Sequence, residues 1–333
     1  MTAAMNADAM AGEGAASADD PAAILAEINR IFSDLIFDLS ATDKQLSPGE
    51  EMLYHQVSSY IEHQEQLSRF IPSPPTQLMA LMKELESEHS DFDRIYAIVK
   101  EDLGLLGEII RVSNSPLYRP RSGEITSLEK AISMLGIEGV MKVASVVMMR
   151  NIIDIHSSRF KGYLRTQWEY CLKCAEACQL MADPQGNFAS YLLGLIHNIG
   201  AVTIFSCFAE VLKNPVEEEV NVIKVIQQIM LERAPWLSTL VAGEWGMPED
   251  YLLSLDEFDL LMQGKMDIDR YQIRSGFTRL LEQGVLCTQV YTLMKQGQIG
   301  RETGLAGLEE LQIPAAQAEK VFARLELAEA SVF

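Results

Sequence analysis

Positive charge is scarce in this sequence: 27 Lys and Arg stand against 47 Asp and Glu, a net charge of −20 over 333 residues. Nucleic acid and the anionic leaflet of a membrane both attract basic patches, so this balance predicts no direct nucleic-acid binding and no attachment to a membrane surface. Glycine-rich phosphate cradles are missing as well. No G-x-G-x-x-G, no G-x-x-x-x-G-K-[ST] and no G-x-S-x-G occurs, which removes the dinucleotide fold, the phosphate loop and the nucleophile elbow from consideration. The opening stretch "MTAAMNADAMAGEGAASADD" has neither the basic start nor the apolar run of a secretion signal, and residues 1–20 read as a disordered leader. No run of alternating apolar and polar residues is bounded by hairpin signals, so strands are not expected.

Cysteine is present five times, an odd number that argues against a disulfide framework. Cys171, Cys174 and Cys178 lie three and four residues apart, which is helical spacing. The C-x-x-C within "CLKCAEAC" lacks a second Cys or His pair at matching distance, so a four-ligand zinc site is not expected. Reduced thiols on a core helix, in a cytoplasmic protein, are the expectation. From Pro184 to Ala209 there is no charged residue. The polar Asn187, Ser190, His197 and Asn198 and the breaks at Gly194 and Gly200 favour two buried helices over a membrane span.

What the chain does have is helical periodicity almost throughout, which predicts an all-α fold. Ile24, Ile28, Ile31, Phe32, Leu35 and Ile36 make the apolar face of a first helix that has to be buried. A second helix is predicted from Ser47, its N-cap, through Phe70, with Pro48 in the first turn. The prolines of "IPSPPTQ" then forbid helix and mark a boundary near residue 68. Helices follow near 75–88, 91–101 and 103–113, with Asp91 as an N-cap. Another begins after Ser127 and stops at Gly136, and 138–154 is apolar nearly all round. Gly162 to Ala182 forms a long helix, with one or two more through "SYLLGLIHNIGAVTIFSCF". The later predictions are 216–232, 236–245, 249–264, 270–296 and 314–330. Residues 21–68 are taken as an N-terminal helical segment, 69–265 as the main domain and 266–333 as C-terminal helices packed on it.

Chemistry-bearing residues are few. His197-Asn198 stands where a His-Asp pair would hold a divalent metal, but an amide oxygen is neutral and a single imidazole makes no cage. His55, His63, His89 and His156 fall at helix surfaces or ends. Asn114, Ser115 and Pro116 end a helix sharply, and Tyr118, Arg119 and Arg121 then offer an aromatic, cationic surface in an acidic chain. The segment can be a structured connection whose Asn and Ser side chains satisfy backbone groups, or a docking surface for a protein or an anion.

Four stretches, in order, carry a resemblance: "IPSPPTQLMALM", "LLGEIIRVSNSPLY", "ITSLEKAISMLGIEGV" and "YLLGLIHNIG". From about Phe70 to Leu260 the chain resembles the HDOD family, the HD-related output domains of bacterial signalling. The resemblance implies an HD-domain-like multi-helix bundle, related to phosphohydrolases that hold metal through His and Asp residues on several helices. Set residue by residue against that pattern, Tyr170 and Ala234 stand where a His is expected and Phe258-Asp259 where a His pair is, Asn198 replaces the Asp, and Trp245 and Pro248 keep the framework. The vestigial metal site is then His197, Asn198 and Tyr170, with no catalytic residue, no bound metal and no cofactor. The implied role is a non-enzymatic regulatory protein acting on a protein partner, with Asn114, Ser115, Tyr118, Arg119 and Arg121 as the candidate interaction surface. The alternatives are a metal-dependent phosphohydrolase with an altered site, or a pseudoenzyme binding a nucleotide in the old cleft. Residues 21–68 could pack back on the domain or pair two copies into a homodimer, and the sequence does not choose.

Overall fold

In a computed structural model of the protein, residues 21–37, 45–85, 92–114, 124–156, 160–182, 187–214, 219–263 and 275–331 are described. Among them there is no strand. The helices run, in order, α1 (Pro21–Phe37), α2 (Pro48–Glu62), α3 (Gln64–Leu67), α4 (Thr76–Leu85), α5 (Phe92–Lys100), α6 (Leu103–Ser113) and α7 (Leu128–His156). Then come α8 (Lys161–Met181), α9 (Asn187–Ile196), α10 (Gly200–Val211), α11 (Val222–Glu244) and α12 (Glu249–Met262). The C-terminal part holds α13 (Thr278–Lys295), α14 (Arg301–Glu310) and α15 (Ala315–Ser331). The all-α expectation holds.

Local signals explain several boundaries. Ser47 and Glu50 form a capping box, in which Glu50 N–H donates to Ser47 Oγ at 3.3 Å and Ser47 N–H donates to Glu50 Oε2 at 2.8 Å. Glu50 is buried and also accepts from Asn221 N–H and Lys224 Nζ, so the cap fastens α2 to the start of α11. Burial pushes its carboxyl up, but the Ser47 N–H, Lys224 and Asn221 N–H together bring it below the usual range. Gly136 interrupts α7 with φ 69°, the stop expected after "ISMLG". The Asp91 cap lies outside the described residues.

Three sequence predictions need correction. The second helix does not continue through residue 70. It breaks at His63, whose backbone is extended and whose ring Nδ1–H donates to the Ser59 carbonyl at 2.6 Å. The helices expected at 216–232 and 236–245 are one, α11, with Pro235 inside it. Proline removes the donor to the Leu231 carbonyl, but Leu231 is 54% exposed, on a side where water is within reach. Helix α14, "RETGLAGLEE", was not anticipated because its two glycines and weak apolar face give little helical signal. Its Gly304 sits where a side chain would press on Val290 and Met294 of α13, so packing forms it rather than propensity.

Helix α8 is the axis of the core. It lies against α9 and α13 along its length and also meets α1, α7, α10 and α15. Cys171, Cys174 and Cys178 are buried free thiols on it. Both segments outside the predicted main domain pack on this same body: α1 on α8, α11 and α13, α2 on α10 and α11, and α15 on α8 and α13. Trp245 Nε1–H donates to the Pro72 carbonyl at 2.9 Å, tying the proline-rich lead-in to the end of α11. Two stretches, Leu128–Ile153 and Phe188–Val211, are long and apolar enough to cross a membrane by composition. Gly136 interrupts the first, and the second is two helices with 83% of its most apolar window buried inside the protein.

Close helix approach is built from glycine at two points. A Cβ on Gly194 of α9 would lie 2.7 Å from the Ala175 Cα and from the Cys174 carbonyl oxygen of α8. One on Gly200 of α10 would overlap the Ala234 carbonyl of α11. Gly194→Ala and Gly200→Ala are therefore each expected to destabilise by about 1–3 kcal/mol, whereas Gly243→Ala, with nothing near its Cβ, should be neutral or stabilise by up to about 1 kcal/mol. Urea unfolding of the three variants checks this order.

Candidate functional site

The two glycines flank a tight turn over residues 197–199 between α9 and α10, and this turn carries His197 and Asn198. His197 is buried, 5% exposed, and its Nδ1 lies 2.8 Å from the Gly194 carbonyl oxygen. A carbonyl only accepts, so Nδ1 holds the proton and Nε2 carries the free lone pair. Burial pulls the imidazole down to about 4, against the opposing pull of the Gly194 carbonyl. The ring is neutral at physiological pH.

Aromatic rings hold it on two sides. Tyr170 of α8 packs edge-on at 5.6 Å between centroids, and Phe258 of α12 at 6.0 Å and 87°. The Tyr170 hydroxyl is buried, its pKa driven well up first by burial and then by the nearby Cys174, and the Gln289 amide of α13 hydrogen-bonds to it. Asn198 is half-buried rather than fully enclosed, and its Nδ2 donates to Gln167 Oε1 of α8 at 2.8 Å. These side chains, together with Ala234, line one cleft of about 140 Å³. The structure thus brings Tyr170, His197, Asn198, Ala234 and Phe258, noted separately along the sequence, to one place. Asp259 does not join them; Gln263 Nε2 donates to its Oδ1 at 2.6 Å.

What closes the cleft carries no signal of its own in the sequence. Helix α1 supplies Asn29, Phe32, Ser33, Ile36 and Phe37 to its wall. Phe32 packs tilted against Tyr170 at 4.7 Å, Phe37 stacks on Tyr163 at 6.1 Å, and Gln227 Nε2 of α11 donates to Ser33 Oγ and Asp34 Oδ1 at 3.0 and 2.9 Å. The apolar face of α1 could signal that it would be buried, but its target is well over a hundred residues away. Of residues 21–68, helices α1 and α2 pack on the same body as the rest of the described chain.

A metal of the kind held by the HD phosphohydrolases does not fit this donor set. The cleft offers one imidazole nitrogen and amide oxygens, and none of its described lining residues is Asp, Glu, Lys or Arg. Among the described residues no group of three or more His, Cys, Asp or Glu side chains is placed to hold a metal ion. A divalent ion needs anionic or several imidazole ligands to offset its lost water.

The candidate interaction surface is only partly within the described residues. Asn114 ends α6 and clasps the chain on the far side of the connection: Nδ2 donates to the Ile110 and Ile125 carbonyls at 3.0 and 2.7 Å, and Ile125 N–H donates to Oδ1 at 2.8 Å. Its amide is therefore spent on backbone, fixing both ends of the segment 114–125, instead of facing a partner. Ser115, Tyr118, Arg119 and Arg121 lie outside the described residues, as do His89 and the side chain of His156. His55 and His63 are exposed, as expected.

The neutral burial of His197 has a pH consequence. Its folded pKa of about 4 lies below the unfolded value of about 6.5, so the unfolded chain binds the proton first. Stability is full above pH 6.5 and falls as pH drops towards 4, by about 3 kcal/mol in all. His197→Gln keeps a donor for Gly194 and cannot charge. The stability gap between wild type and this variant should shrink or reverse as urea unfolding is repeated from pH 7 to pH 4.5, and parallel curves would contradict the assignment.

A profile of the HDOD domain matches residues 71–257. A solved HDOD domain protein of unknown function from Geobacter sulfurreducens is 15% identical, with a TM-score of 0.57 over 84% of this chain and 95% of that one. One from Shewanella amazonensis SB2B, named a putative metal-dependent phosphohydrolase, is 16% identical with a TM-score of 0.55 over 84% of this chain and all of that one. One from Marinobacter aquaeolei VT8, named a putative signal transduction protein, is 17% identical with a TM-score of 0.52 over 86% and 69%. At these identities the likeness shows the fold. An uncharacterized protein of Treponema pallidum is 24% identical over 189 residues, and the match spans 36% of that relative's own length. With the match covering more than half of its length, the chain belongs to the HDOD family.

Proposed function

We propose that this chain is a non-catalytic regulatory protein of bacterial signal transduction, located in the cytoplasm, whose output is binding to another protein. One observation carries the reading. At the turn where HD relatives gather metal ligands, His197 is neutral and packed between Tyr170 and Phe258, with an amide beside it. Nucleophilic water activation needs a metal or a general base with a pKa near the working pH, and an imidazole at about 4 is neither strongly basic nor part of a cage. The name borne by the Marinobacter neighbour is in keeping with this reading, and the acidic balance of the chain suits a partner that presents basic groups.

The docking surface we assign to the partner is the connection anchored by Asn114, because its Tyr118, Arg119 and Arg121 are the local cationic and aromatic exception in an acidic sequence. Two measurements test the proposal together. Purified protein with Mn²⁺, Mg²⁺ or Zn²⁺ should turn over a generic phosphodiester no faster than His197→Gln does. Partner capture from native cells, read by cross-linking and mass spectrometry, should survive His197→Gln and weaken at least tenfold when Tyr118, Arg119 and Arg121 are all replaced by Ala, about the loss of one or two well-placed interface contacts. His197-dependent hydrolysis would overturn the non-catalytic reading, and capture indifferent to the triple change would overturn the surface.

A further inference from the structure

Helix α7 is covered less than its sequence calls for. After Gly136 it is apolar nearly all round, the pattern of a helix enclosed on every side. Yet only 44% of the most apolar window of Leu128–Ile153 is buried, against 83% for Phe188–Val211. Val143 and Val146, one turn apart, are half-buried, and Arg150 on the same side is exposed. On the neighbouring α6, Leu103 is 78% exposed and Leu106 and Ile110 are half-buried. Gly107 lies between them, and nothing stands within 4 Å of where its Cβ would be. The middle of α6 is therefore bare.

Charge joins the two helices at this face. Arg111 Nε and Nη2 donate to the carboxylate of Glu108 at 2.9 and 2.6 Å on α6, and Arg150 Nη1 of α7 lies 3.8 Å from the same group. Two guanidiniums share one carboxylate, so the cluster is net positive in a chain of −20. Arg111 and Arg150 stay 69% and 46% exposed, which leaves N–H donors turned to solvent. An apolar surface rimmed by such donors has the make-up of a binding face. Leu103, Leu106, Gly107 and Ile110 follow the spacing of one helix side and run about 10 Å along α6. Among the described residues there is no strand edge for an extended segment to pair with, so a helix laid along the two is the mode that fits.

We infer that the α6–α7 face binds an amphipathic helix of a protein partner, whose apolar side lies on Leu103, Gly107, Ile110, Val143 and Val146 and whose Asp or Glu residues meet Arg111 and Arg150. Gly107 lets that helix approach the α6 backbone. The partner's carboxylates take the guanidinium donors that Glu108 leaves open. Here the local sign is opposite to that of the chain as a whole, so acid on the partner is attracted at this face and repelled elsewhere. Asn114 ends α6, so the face continues from the docking surface assigned above. The inference rests on the protein-binding reading and adds the kind of segment that is bound.

The test places the photo-crosslinking residue p-benzoylphenylalanine at position 103 of the full chain in native cells and reads the attached peptide by mass spectrometry. The expected product is a partner segment with apolar residues at i, i+3 or i+4 and i+7, flanked by Asp or Glu. Its yield should fall at least tenfold when Arg111→Gln and Arg150→Gln are combined, the loss of two charge-assisted contacts. Gly107→Glu, which fills the face and adds an acid, should lower it as much. That change has open space at its Cβ and raises helix propensity, so the variant should fold as well as the parent. Gly243→Glu, equally open but on α11, should leave the yield unchanged. A product with lipid or with a second copy of this chain, a segment without that pattern, a yield indifferent to Gly107→Glu, or no product would overturn the inference. Such a failure, with capture still weakened by the change at Tyr118, Arg119 and Arg121, leaves the regulatory reading standing. His197-dependent hydrolysis overturns that reading without moving this cross-link.

Discussion

The structure turns on how closely four helices can approach one another around the 197–199 turn. Gly194 lets α9 meet the backbone of α8, and Gly200 lets α10 meet the backbone of α11. A tight turn held between two such contacts has no freedom to tilt, so its side chains point where the backbone dictates. Gly200 N–H donates to Ser238 Oγ at 3.0 Å, and Ser238 Oγ–H in turn donates to the Ala234 carbonyl at 2.8 Å, which satisfies polar groups at the closest point of contact. His197 follows from this geometry. It is buried because the turn is buried, and burial keeps it neutral.

In relatives that hold a metal, charge on the ion and its ligands would organise such a cleft. Here the organising forces are dispersion and hydrogen bonding. Tyr170 and Phe258 fill the space on either side of the imidazole with rings, and Gln167 takes the Asn198 amide. Helix α1 then completes a wall that the core alone leaves open, packing Phe32 against Tyr170 and accepting hydrogen bonds from Gln227. Aromatic and amide side chains around the imidazole avoid the large desolvation cost that charged ones would carry.

Much of this could be read from the sequence because it was local. Helices α4, α5 and α6 fall within three residues of their predicted bounds, set by the proline-rich lead-in, by apolar spacing and by Asn114. The Ser47 cap and the Gly136 stop are single-residue signals with direct geometric meaning. The resemblance alone singled out Tyr170, Ala234 and Phe258, since nothing in their spacing says that they meet. What escaped was decided by tertiary contact. α2 ends at His63, whose ring caps the Ser59 carbonyl, Pro235 is tolerated beside solvent, and α14 forms because Gly304 fits against α13. The burial of α1 was foreseeable from its apolar face, but its place over the cleft depends on partners such as Tyr170 and Gln227 far along the chain.

The most direct measurement of the central claim is the NMR titration of the His197 imidazole nitrogens, with and without added Mn²⁺. A proton fixed on Nδ1, a midpoint near 4 and no paramagnetic broadening by Mn²⁺ are the predicted result. A midpoint near the ordinary 6.5, or selective broadening of His197 at low Mn²⁺, would contradict the account and return this turn to metal chemistry.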